Sequence, residues 1–163
     1  MIRDLSLAEM KCVSGGHING QHDPSLLAAG ILGDIGGAIW GGVNSVIGLG
    51  IGFTGFAIDH AFGNGDATIS ISGSTIQFGN NPLMVSGSAL TLGNVQIYSV
   101  GLTGKPGTIA HENAHTKQSN MLGPFYLIAW AGGAILAGIN GGSPFGEGNP
   151  MERGPYSNPP TPF

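Results

Sequence analysis

A chain of 163 residues with 31 glycines, 9% charged residues and a net charge of -4 has room for one ordinary domain, or for a smaller one with appendages. Five Lys plus Arg cannot build the basic surface that a phosphate backbone requires, which excludes a nucleic-acid partner, and the single Cys12 excludes a disulfide framework or multi-cysteine metal site. With 41% hydrophobic residues, disorder of the whole chain is excluded too, while charge far below the usual share of about 25% makes an ordinary cytosolic enzyme a poor fit.

The first sixteen residues, MIRDLSLAEMKCVSGG, lack the charged start and apolar centre of a Sec signal peptide. Ile2, Leu5, Leu7, Met10 and Val13 instead form an amphipathic helical stripe that stops at Gly15-Gly16. Leu5, Ser6, Glu9, Met10, Val13, Ser14, Gly15 and Gly16 together resemble the double-glycine leader of bacteriocin and microcin precursors. That resemblance implies an ABC exporter with a peptidase domain as partner, recognition through Leu5, Glu9, Met10 and Val13, and cleavage after Gly16. Glycines suit such a cut because a residue without a side chain threads a narrow cleft. Release of residues 17–163 removes Cys12 and leaves the net charge at -4.

From Leu26 to Phe62 the chain is apolar, and the 24 residues from Ile35 to Ile58 carry no charge, whereas about 20 suffice to cross a bilayer as a helix. Gly33, Gly37 and Gly41 form one GxxxG register and Gly48 and Gly52 another, so on a helix they allow close backbone approach and self-association. Two forms fit: a membrane helix, or a buried helical hairpin turning near Gly41-Gly42 or Asn44-Ser45. In composition the segment resembles the Gly/Ala-rich part of colicin-V-like microcins.

From Asp66 to Tyr98 the period becomes two, with apolar pairs at Ile69/Ile71, Ile76/Phe78, Leu83/Val85, Leu90/Leu92 and Val95/Ile97 separated by Gly, Ser, Asn and Pro turn residues. The pattern predicts a small antiparallel meander with one apolar and one polar face, the apolar face covered by the segment that follows.

That segment contains His111-Glu112-Asn113-Ala114-His115, an HExxH pattern. On a helix expected from about Thr108 to Leu122, bounded by Pro106-Gly107 and Gly123-Pro124, His111 and His115 share a face and can hold one Zn2+, with Glu112 as the general base that activates water. A catalytic zinc takes three protein ligands, and Glu152, an isolated acid 37 residues after His115, is the first choice for the third. Glu147, Asp66 and His60 are the fallbacks.

HENAHTKQSNMLGPFYL, with the strand-like residues before it, resembles a zincin-like segment, HExxHxxQ followed by GPxYL, of bacterial secreted and polymorphic-toxin-type proteins. By that resemblance Gln118 lies one turn beyond His115 and orients a histidine or bonds substrate. Residues 125–139 are uncharged and predict a second apolar helix, a core helix more than a membrane span because Gly123-Pro124 leaves it short. The Gly/Pro-rich tail from Gly141 predicts an extended wrap with little structure.

The expected fold is α+β: a glycine-rich apolar hairpin or membrane helix, then an antiparallel meander covered by the HExxH helix and a second apolar helix. The expected divisions are a leader (1–16), an apolar membrane-active or anchoring segment (17–65), a strand-rich zincin-like domain (66–140) and a tail (141–163). Two functions fit. One is a secreted zinc-dependent peptidase-like protein with a membrane-associating segment. The other is a membrane-active bacteriocin-like toxin with a non-catalytic HExxH helix and an immunity protein as a further partner.

Overall fold

The computed structural model describes the backbone of residues 24–163 and the side chains of residues 40–163. The leader positions Leu5, Glu9, Met10, Val13, Gly15 and Gly16 lie outside the described residues. The chain divides into two units, Met1–Ile35 and Gly36–Phe163. The expected divisions at 65/66 and 140/141 both fall inside the second unit, because hydrogen bonds and packing cross them in several places.

The apolar segment forms one unbroken helix, α1 (Pro24–Phe62), so no hairpin turn occurs at Gly41-Gly42 or Asn44-Ser45. Pro24 suits a helix start because its missing N–H costs no hydrogen bond there. At the other end Gly63 and Gly65 donate to the Asp59 carbonyl (2.8 and 3.3 Å), and Gly65 takes the positive φ of +72° that releases the chain.

Four strands follow: β1 (Thr68–Ser72), β2 (Thr75–Gly79), β3 (Ala89–Leu92) and β4 (Val95–Tyr98), in the order β1-β2-β4-β3. β1/β2 and β3/β4 are antiparallel hairpins, but β2 and β4 run parallel, so the sheet is mixed rather than an antiparallel meander. The reason lies in residues 80–88. Leu83 and Val85 form no strand: Asn81 accepts from the Leu83 amide through its side chain (3.0 Å), and the loop carries the chain past β4 before β3 begins.

The registers place Ile76, Phe78, Val95, Ile97, Leu90 and Leu92 on one face, and Gln77, Gln96, Thr91, Ala89 and Tyr98 on the other. The apolar face is covered by α1, whose Leu49, Ile51 and Phe56 pack on buried Phe78, Val95 and Ile97. α1 turns its small residues inward: Asn44, Gly48, Gly52 and Gly55 are buried. A Cβ on Gly48 would meet Val95 and Leu92, one on Gly52 the Phe78 ring, and one on Gly55 the Asn81 side chain. At Gly48 and Gly52 the glycine register is therefore occupied within the chain, by a sheet, at a propensity cost of about 0.8–1 kcal/mol per glycine, while Gly33 and Gly37 lie outside the described side chains.

The HExxH helix, α2 (Pro106–Leu122), does not cover the apolar face as expected; it lies on the polar one. Its buried residues include Thr116, Gln118 and Ser119, which need partners more than they need an oily surface. Gln96 Nε2 donates to Asn113 Oδ1 and Thr116 Oγ1 (both 3.0 Å), and Gly93 N donates to Ser119 Oγ (3.0 Å). Asn44 of α1 donates to Ser119 Oγ (3.0 Å) and to the Gly123 carbonyl (2.6 Å), fixing the end of α2.

A short 3-10 turn, Gly123–Phe125, leads into α3 (Tyr126–Ile139). Leu92, Tyr126 and Met151 form a second apolar cluster with Leu122, Leu127 and Trp130. Two helical stretches, Trp40–Phe62 and Pro106–Ile139, are long and apolar enough to cross a membrane by length and composition. The first has its inner face on the sheet, and the second is broken by Gly123 at φ +55°. Outward, α1 exposes Val43, Val46, Ile47, Phe53, Ile58 and Phe62, and α3 exposes Ile128, Ile135, Leu136 and Ile139.

Candidate metal centre

Pro106 opens α2 two residues before the expected start, and Gly123 ends it as expected. Between them His111 and His115 stand one turn apart with their Nε2 atoms 3.1 Å from each other. Glu152 Oε2 completes the triangle, 3.1 Å from His115 Nε2 and 3.3 Å from His111 Nε2. In a tetrahedral zinc site with bonds of about 2.0–2.1 Å, ligand atoms stand about 3.3 Å apart, so three donors already spaced for one ion fit the group. His111, His115 and Glu152 can hold a metal ion.

Glu152 arrives on a short helix, α4 (Pro150–Arg153), in what composition alone presents as loose tail. Asn149 caps it, its Oδ1 accepting from the Met151 amide (3.0 Å) while its Nδ2 donates to the Pro144 carbonyl (2.9 Å). Asn149, Met151, Glu152 and Pro155 are buried, so the expected extended wrap is instead a packed closure of the site. The signal was present in Asn-Pro-Met-Glu: a cap, a proline at the first helical position and an acid in the first turn.

Two of the three donors, His115 and Glu152, have a hydrogen-bond partner holding the other end. Gln118 Oε1 accepts from His115 Nδ1 at 2.7 Å, which leaves the Nε2 lone pair for a metal, and Gln118 Nε2 donates to the Met151 carbonyl (2.7 Å) and to the Pro162 carbonyl. Trp130 Nε1 donates to Glu152 Oε1 at 2.7 Å, leaving Oε2 for the ion. The Tyr156 ring stands edge-on to His111 with centroids 4.6 Å apart. Burial raises the Glu152 pKa, but hydrogen bonds from His111 and His115 outweigh that and bring it to about 2. Burial lowers that of His115, and Glu152 more than reverses it, so the pair is a salt bridge that a cation replaces.

Glu112 is buried beside this triangle and outside it. Its Oε2 accepts from Thr91 Oγ1 at 2.7 Å, and burial holds its pKa above the usual carboxylate value despite Thr91 and the two histidines. The group opens on a cleft of about 830 Å³ lined by His111, Glu112, His115, Tyr126, Trp130 and Glu152 among others. Tyr126 is 3% exposed and lines the cleft, and its hydroxyl makes no hydrogen bond to another described residue.

The structure thus brings together His111, Glu112, His115, Gln118 and Glu152. The fallback ligands lie elsewhere: His60 stacks on Phe56, Asp66 bonds Asn80 through its carbonyl, and Glu147 accepts from Arg153 Nε through its own carbonyl (3.0 Å). Thr91, Tyr126 and Trp130 were not foreseen. Tyr126 and Trp130 stand four apart in an otherwise aliphatic helix, and two aromatic side chains with polar tips on one helical face are the cue.

Comparison of the chain with protein-family models, curated proteins and solved structures gave no match. The geometry alone bears on function. Trp130→Phe removes the hydrogen bond to Glu152 and keeps the ring, so zinc affinity should fall about 10- to 100-fold in a competitive chelator titration. Unchanged affinity would mean that the indole packs without orienting the ligand.

Proposed function

We propose that this protein is a zinc-dependent hydrolase of peptide bonds, exported through a leader-cleaving ABC transporter and associated with a membrane. The observation that carries the catalytic reading is the convergence of His111 Nε2, His115 Nε2 and Glu152 Oε2 within 3.3 Å, beside a buried glutamate at a cleft. Zinc, when bound, acts as a Lewis acid that makes water nucleophilic near neutral pH. Glu112, whose Oε2 is held by Thr91, would accept the proton of that water. The raised affinity of Glu112 for a proton lets it pass the proton on to the leaving amine. Tyr126, in the wall of the cleft, donates a hydroxyl hydrogen bond to the oxyanion that develops on the carbonyl. Gln118 and Trp130 keep His115 and Glu152 in place.

Membrane association rests on the outward faces of α1 and α3, where apolar side chains stand in solvent. Since the inner face of α1 is taken by the sheet, α1 lies along the interface by its outer face. Export rests on the leader resemblance, and an exported product should begin at His17 by mass spectrometry; an intact Met1 start outside the cell would sink that part.

Zinc analysis tests the central claim. The purified chain should carry one zinc, and His111→Ala should lose most of it; a chain without stoichiometric zinc overturns the hydrolase reading. Vesicle leakage that persists in Glu112→Gln would favour the membrane-active toxin, with an immunity protein as partner and self-association through the glycine zipper.

A further inference from the structure

The cleft is unusual in its charge. Among the described residues its walls include the carboxylates Glu112 and Glu152 but no lysine or arginine. Lys105, Lys117 and Arg153 all lie outside it, and Arg153 is engaged with Glu147. A substrate carboxylate placed away from the metal, whether a chain terminus or an Asp or Glu side chain, would therefore meet no side-chain cation along these described walls, the one counter-charge being the ion that the scissile group itself must reach, and an unpaired charge in a partly desolvated site is strongly disfavoured.

The same cleft is lined by the apolar side chains of Leu90, Leu127, Trp130 and Phe145. Phe145 is 69% exposed, yet it is held in place. Its amide donates to Ser143 Oγ (3.2 Å), its carbonyl accepts from Tyr156 Oη (3.0 Å), and its ring packs on Trp130 with centroids 5.4 Å apart. Trp130 in turn bonds the ligand Glu152, so the ring of Phe145 is set at one remove from the metal site. An aromatic kept in water by fixed contacts is pre-organised to receive an apolar group.

We infer that the cleft admits an internal, uncharged stretch of polypeptide and seats a large apolar side chain against Trp130 and Phe145, with Phe145 setting the preference. The protein is then an endopeptidase that neither trims carboxyl termini nor cuts beside acids. This rests on the hydrolase reading above. The covalent step is ordinary hydrolysis: water adds to the carbonyl carbon, the C–N bond breaks, and the amine leaves with a proton.

The test uses the zinc-loaded full chain and end-blocked decapeptides with a central Phe, Leu, Ala or Asp. Internal cleavage should favour Phe and Leu over Ala by at least about tenfold, as burial of several methylenes in a pocket allows, and over Asp by more. Phe145→Ala should bring the Phe-to-Ala ratio of kcat/KM close to 1, Phe145→Leu should restore much of it, and zinc content should not change in either. Sequential release of carboxyl-terminal residues, equal cutting of Asp and Phe peptides, or a Phe145→Ala loss equal for all peptides would each overturn the inference. Calorimetric titration of the blocked Phe peptide into zinc-loaded Glu112→Gln separates the two claims. Binding that weakens in Phe145→Ala, without hydrolysis by the unaltered chain, keeps the subsite and sinks the peptidase; neither binding nor cleavage overturns both.

Discussion

Glu112→Gln should lower peptide hydrolysis by about 10²- to 10⁴-fold, the usual contribution of a positioned general base, and leave one zinc bound. The two effects separate because Glu112 lies outside the triangle of His111, His115 and Glu152, while the amide keeps its volume and can still accept from Thr91. His115→Ala should instead lose zinc and activity together, since His115 Nε2 stands within 3.1 Å of both other donors. Turnover by initial rates and zinc by elemental analysis on the same samples decide the matter. Hydrolysis within tenfold of the unaltered chain would remove Glu112 from the mechanism.

The second large effect is on stability. Gly52→Leu drives a branched side chain into the Phe78 ring at the centre of the first core cluster, and overpacking of this kind costs about 1–3 kcal/mol or more. Gly50, two residues away on the same helix, has nothing within 4 Å of where its Cβ would stand. Gly50→Ala should therefore stabilise, by about 0.8–1 kcal/mol, because it removes the glycine cost without a clash. Urea unfolding midpoints of the two variants should move in opposite directions. Equal midpoints would mean that α1 does not rest on the sheet.

The residues that carry chemistry were the most legible, for a physical reason. HExxH has a fixed spacing tied to one helical turn, and Glu152 stood out because charge is so scarce here that each acid invites an explanation. What covers what was harder to see. The glycine register at Gly48 and Gly52 marks a close-packing face, but periodicity carries no information about the partner, and at these two positions that partner is the sheet of the same chain. For the same reason the cover of the sheet was assigned by sequence order, although the polarity of Thr116, Gln118 and Ser119 already argued that α2 wanted Gln96 and Thr91 rather than Phe78. Strand order also escaped, since the parallel pairing of β2 with β4 depends on how the 80–88 loop closes, not on the alternation of either strand. Trp130 and Tyr126 remained hidden inside an apolar run whose obvious explanation was a core helix.

The brace from Asn44 to Ser119 and Gly123 spans 75 and 79 positions of sequence, and the bond from Gln118 to the Pro162 carbonyl spans 44. Contacts this remote repay the chain only after long loops have closed, so folding should be slow for a protein of this length. Order in time follows. The histidine pair can form as soon as α2 is helical, but its third donor waits for the closing segment, so an unfolded or half-emerged chain lacks the complete centre. A protein built in this way acquires its chemistry last, and a cell that makes it holds an inert polypeptide until folding is finished.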